Sequence, residues 1–235
     1  MADVRRSSPE PPWAGPQIQH TPGMADDLMC EIAPLLAEDG IDLNDPAKIP
    51  DTETLQLALN RAIERRNMAL FTPVGTPREL ALTTLRLYVE AVATGETELA
   101  GAILATAQPE SPDDSVATVA GTIGVALDLL DEILSGQRSD APAGIGARTR
   151  LPKGHWVGER AARDILDLSR RGRAFGALGA LITKQGSPAV QSGAALALAA
   201  TMQAWADLTG TPVDQVTPSA FSHGRVRQQG VTPWV

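Results

Sequence analysis

Two stretches of the chain carry acid pairs at helical spacing. Asp128-x-x-Asp131-Glu132 and Asp164-x-x-Asp167 would each place carboxylates on one side of a helix. Facing one another, Asp128, Asp131, Asp164 and Asp167 would offer the oxygen ligands that Mg²⁺ prefers, and a fixed Mg²⁺ would serve phosphoryl chemistry. That arrangement describes a metal-dependent all-α enzyme acting on phosphorylated small molecules. The helical wheel places the acids differently. With Ile123 at the centre of the buried face, Asp128 and Glu132 fall roughly 140–180° away at about 100° per residue, and Asp167 points outward when Ile165 is the centre. Arg160 and Asp164, and likewise Asp167 and Arg171, also have the i,i+4 spacing of helical ion pairs. A solvated charged face is the expectation for all four acids, no cofactor is expected, and a metal would require them to converge.

The basic residues make the stronger pattern. Arg148, Arg150, Lys153, Arg160, Arg163, Arg170, Arg171 and Arg173 fall within 26 residues, with Trp156 among them. Guanidinium forks bind carboxylate and phosphate alike, so the stretch suits an acidic protein surface or a nucleic acid. For nucleic acid the aromatic interleaving is thin, limited to Trp156 and Phe175. Asp164 and Asp167 dilute the charge, and a whole-chain charge of −8 repels a polyanion at long range. An acidic protein partner, or this chain's own acidic half, is the better match.

Other candidates carry less. Asp26, Asp27, Cys30 and Glu31 form a short acid-and-thiol string, but acids favour a helix N-terminus and a helical cysteine usually acts as a small apolar residue. His20, His155 and His223 never stand three or four residues apart, so no helix prearranges a zinc pair. No nucleophile elbow, P-loop or strand-linked glycine fingerprint occurs. Trp13 and Trp234 each follow a proline in an irregular end segment, where an indole can anchor a partner or pack back on the body.

These residues must be positioned by helices. Aromatic residues are only 3% of the chain, so Ala, Leu, Val and Ile must build the core, and Ala and Leu are strong helix formers. Hydroxyl–Pro–x–acid starts occur at Thr76, Ser111 and Thr211, Ser187-Pro188 is a further start, and Asp51 is a plausible cap. Gly95, Gly136, Gly172, Gly186 and Gly210 are matching stops. The spacing predicts helices near 25–38, 52–68, 77–94, 96–107, 112–135, 158–171, 173–185, 188–209 and 212–217, with Pro34 a point of kinking in the first. No segment alternates with period two over the length of a strand. The segments from Thr76 and Ser187 share an order of hydroxyl–Pro start, long helix, Thr-Gly and short helix, which fits a duplicated hairpin or simply the shared logic of caps.

The fold class is therefore all-α, a bundle of about eight or nine helices. Residues 1–23 hold five prolines and read as a disordered arm. An acidic helical unit is expected at 24–136, a Gly/Pro/Arg-rich linker at 137–154, a basic Ala/Gly-rich helical unit at 155–217 and an irregular tail at 218–235. The charge supports that division. Residues 24–135 hold 20 acidic and 6 basic side chains, whereas 136–235 hold 6 acidic and 12 basic. The lone cysteine, the lack of an apolar leader and the lack of a membrane-length apolar run point to a cytoplasmic protein. The functional expectation is a non-catalytic protein-interaction or regulatory protein, by binding a partner or itself. The metal-dependent enzyme and the nucleic-acid factor are the alternatives.

Overall fold

The computed structural model describes residues 24–109 and 115–222, with side chains described from Leu28 onward. The arm at 1–23, the Ser111 start, His20, His223, Trp13 and Trp234 lie outside the described residues, as do the side chains of Asp26 and Asp27. The fold is all-α. The helices are α1 (Met24–Glu38), α2 (Thr52–Phe71), α3 (Thr76–Thr94), α4 (Thr97–Ala105), α5 (Val119–Leu134), α6 (Ile145–Arg148), α7 (Glu159–Ser169), α8 (Leu178–Gln185), α9 (Ser187–Thr209) and α10 (Val213–Ser222). Among the described residues there is no strand, only a single bridge between Gln108 and Thr118.

The starts work by different means than the sequence suggests. Asp51 does cap α2, accepting from the Glu53 and Thr54 amides at 3.1 and 3.0 Å. At α3 and α9 the expected hydroxyl caps are not used. Thr76 and Ser187 are already the first helical residues, and Gly75 and Gly186, both at positive φ, turn the chain ahead of them. Proline then sets the φ of the second position. Helix α5 begins at Val119, capped by the Thr118 hydroxyl on the Gly121 amide at 3.0 Å. Pro34 lies within α1 without ending it. Gly95 closes α3 in the left-handed region, its amide on the Val92 carbonyl and that of Glu96 on Ala91. Both segments resembling each other in sequence form a long helix, a left-handed glycine and a short helix.

The described chain divides into two compact units, one up to Arg66 and one from Asn67. The boundary falls within α2, not in the expected linker at 137–154. In the first unit, Ile32 and Leu36 of α1 pack with Ile41 and with Ala58 and Ala62 of α2. Arg65 ties the two helices, donating to the Leu35 carbonyl and the Asp39 carboxylate, each at 2.7 Å.

The second unit is built around α9, which carries no charged residue before Asp207. Helices α3, α5, α6, α7, α8 and α10 all contact it. A helix enclosed on every side needs small residues where neighbours come closest. An added Cβ at Gly193 would stand 2.4 Å from the Ala161 Cβ of α7, and one at Gly124 of α5 only 1.7 Å from the Phe71 carbonyl oxygen. The expected linker belongs to this unit. Ile145 and Thr149 are buried, and Ala141 and Leu151 pack against the same core. Few apolar residues in a Gly/Pro-rich run sufficed to anchor it, which is why the sequence showed no stripe there.

Candidate functional site

The four acids do not converge. Among the described residues no three His, Cys, Asp or Glu side chains gather as metal ligands. Asp128 and Asp131 are 4% and 2% exposed, which corrects their expected placement on a solvated face. The wheel assumed one buried side, but α5 is in contact with α3, α6, α7 and α9 and has no solvent side at Asp128. Asp131 accepts from the Ala174 and Phe175 amides at 2.9 and 3.0 Å. Asp131 thereby holds the turn that precedes α8, which starts at Leu178 instead of 173. Asp128 lines a small pocket of about 10 Å³ together with Arg78 and Gly124.

Asp164 and Asp167 pair with cations other than those expected. Asp164 accepts from Lys184 at 2.8 Å and Gln185 at 2.9 Å, which ties α7 to α8. Asp167 takes Arg170 at 2.6 Å, while Arg171 reaches the Asp167 backbone carbonyl at 3.0 Å. Arg163 pairs with Glu159 at 2.8 Å. Cys30 and His155 are exposed. Trp156 is half-buried, its indole N–H on the Lys153 carbonyl and its amide on the Glu159 carboxylate, both at 3.3 Å.

The basic residues remain on the surface. Arg148, Arg150, Lys153, Arg160, Arg163, Arg170, Arg171 and Arg173 are all exposed. Among the described residues no carboxylate lies within ion-pair distance of Arg148, Arg150, Lys153, Arg160, Arg171 or Arg173.

Two of these arginines line a cleft of about 1070 Å³. The end of α5 from Ile133, the turn through Gly136–Gly144, and α6 form its walls, with Arg138, Arg150 and Arg170 among its lining residues and, among the described residues, no aspartate or glutamate. Arg170 holds α7 to α6, donating from Nε to the Gly146 carbonyl at 3.0 Å and from Nη2 to Thr149 at 3.3 Å. Arg138 was not singled out by the sequence. It is 8% exposed, stacks 5.5 Å from the Trp205 ring, binds Asp140 through Nε and Nη2, and donates to the Ala220 and Ser219 carbonyls of α10. It therefore joins the cleft wall to α10. The only sequence signal for it was Arg138-x-Asp140 inside an otherwise small-residue turn.

No protein-family model, curated protein or solved structure matches this chain. Among the described residues no helix is long and apolar enough to cross a membrane.

Proposed function

We propose that this chain is a cytoplasmic, non-catalytic interaction protein that docks an acidic protein surface on the arginine-bearing face of its second unit. The observation that carries this reading is the set of six exposed basic side chains between Arg148 and Arg173 with no carboxylate in reach among the described residues. Uncompensated cations, with Arg150 among them lining an open cleft, attract an anionic partner and fix its register. Of the acids that would have supported metal chemistry, Asp131 holds the Ala174–Phe175 turn and Asp164 ties α7 to α8, which supports the same reading.

The test is retention of two polyanions, polyglutamate and duplex DNA, on the immobilised full chain across rising salt. Polyglutamate should be retained at low salt and released as screening grows. DNA should elute first, because neither an inserted helix nor aromatic stacking adds to charge. Failure to retain polyglutamate at low salt would sink the reading, and DNA outlasting it would favour the nucleic-acid alternative. A rise in thermal midpoint with added Mg²⁺ would return the metal-dependent enzyme to consideration. Sizing at low and high salt separates a foreign partner from a second copy of the chain.

A further inference from the structure

The arginines around the cleft differ in which edges of the guanidinium are occupied. Arg138 engages Nε and Nη2 with Asp140 and Nη1 with the Ala220 carbonyl. Arg170 engages Nε with Gly146, Nη1 with Asp167 and Nη2 with Thr149. Arg150 engages Nη1 alone, with the Ala147 and Thr149 carbonyls at 2.8 and 2.9 Å. Among the described residues its Nε and Nη2 have no acceptor.

Two carbonyls on one nitrogen fix the plane of the Arg150 guanidinium. The Nε–Nη2 edge left open is the fork that takes a carboxylate through two parallel hydrogen bonds. A donor already held in place loses little freedom on binding. Asp140 and Asp167 compensate the other two arginines, so the uncompensated charge lining the cleft belongs to Arg150. Ala141, Pro142, Ala143, Gly144 and Ala147 line the rest of the mouth. Such small residues leave room for a stretch of extended chain.

We propose that the cleft seats an acidic segment of a partner polypeptide, with one of its carboxylates on the Nε–Nη2 edge of Arg150. This rests on the docking reading above and adds the residue that anchors the partner.

The probe is a fluorescein-labelled Glu-Ala repeat peptide, titrated with the full chain at low salt and read by anisotropy, with helix content of every variant checked by circular dichroism. Arg150→Gln should weaken binding about tenfold or more, and Arg150→Lys nearly as much, because lysine keeps the charge but not the fork. Arg160→Gln, among the docking cations but outside the cleft, removes only a screened charge and should weaken binding about twofold, several times less than Arg150→Gln. Ala143→Glu leaves Arg150 untouched and sets a negative charge at the cleft, so it should also weaken binding about tenfold. It keeps the question open to refutation should the Arg150 variants lose helix content.

Equal losses in Arg150→Gln and Arg160→Gln, with Arg150→Lys at the level of the unaltered chain, would overturn the Arg150 anchor and leave the docking face standing. An unaltered chain that does not bind the peptide would overturn both. A phosphorylated oligonucleotide binding more tightly than the peptide, with the same dependence on Arg150, would overturn the choice of an acidic polypeptide.

Discussion

Replacing Asp131 separates a structural carboxylate from a solvated one or a metal ligand. Its two oxygens accept from the Ala174 and Phe175 amides at 2.9 and 3.0 Å, and all three residues are buried, at 2%, 0% and 5% exposure. In Asp131→Ala both amides lose their acceptor without gaining water. A buried donor left unsatisfied costs about 1–3 kcal/mol, so the pair should cost about 2–6 kcal/mol. Asn keeps one acceptor but turns its NH₂ toward the second amide, so Asp131→Asn should cost about 1–3 kcal/mol. A surface substitution would stay within about 0.5 kcal/mol. Urea unfolding monitored by circular dichroism resolves these cases, because the midpoint shifts at constant slope when only stability changes. A loss below about 0.5 kcal/mol for Asp131→Ala would refute the buried-cap reasoning. A loss that appears only without chelator would make Asp131 a metal ligand instead.

Glycine substitutions test the packing around α9. Gly193→Ala must displace α7 and should lower stability by about 1–3 kcal/mol, whereas Gly101→Ala in α4 meets nothing within 4 Å and should raise it by about 0.5–1 kcal/mol. Equal thermal midpoints for the two variants would contradict the close α7–α9 approach. Tyr88 is the chain's single tyrosine, and burial raises its hydroxyl from 10.0 to about 12, so phenolate absorbance should appear near that pH and not near 10. Because the folded value is the raised one, its contribution to stability is complete below pH 10.0 and declines as pH rises through about 12. Asp51 has the opposite sign. The Thr54 amide and hydroxyl hold its carboxylate below the usual 3.8, so Asp51→Ala should destabilise above that pH and match the unaltered chain once acid protonates Asp51. A penalty unchanged in acid would dissociate the cap from the charge.

The helices were legible because their signals are local. Ala/Leu stripes, the Asp51 cap and the Gly95 and Gly210 stops depend only on residues within a turn of each other. What escaped was set by contacts across the fold. A wheel drawn from Ile123 cannot report that α5 is enclosed on all sides, so Asp128 and Asp131 were assigned to solvent. The 173–177 segment has helical composition, yet α8 starts at Leu178, and the Ala174 and Phe175 amides ahead of it are held by Asp131, more than forty residues earlier. Residues 137–154 resembled a linker because Ile145 has few apolar neighbours in sequence, although it packs into the main core. The arginine cluster was visible as composition. Which of its members keeps an open fork depends on the Ala147 and Thr149 carbonyls, whose placement only the fold supplies.

The most direct measurement is NMR of the arginine Nε–H groups in isotope-labelled full chain as the Glu-Ala peptide is added. The expected result is a concentration-dependent shift led by the Arg150 Nε–H, accompanied by backbone amides between Ala141 and Ala147. Shifts led by Arg160 or Arg163, or spread evenly over the basic residues with those cleft amides unmoved, would contradict a partner seated in the cleft.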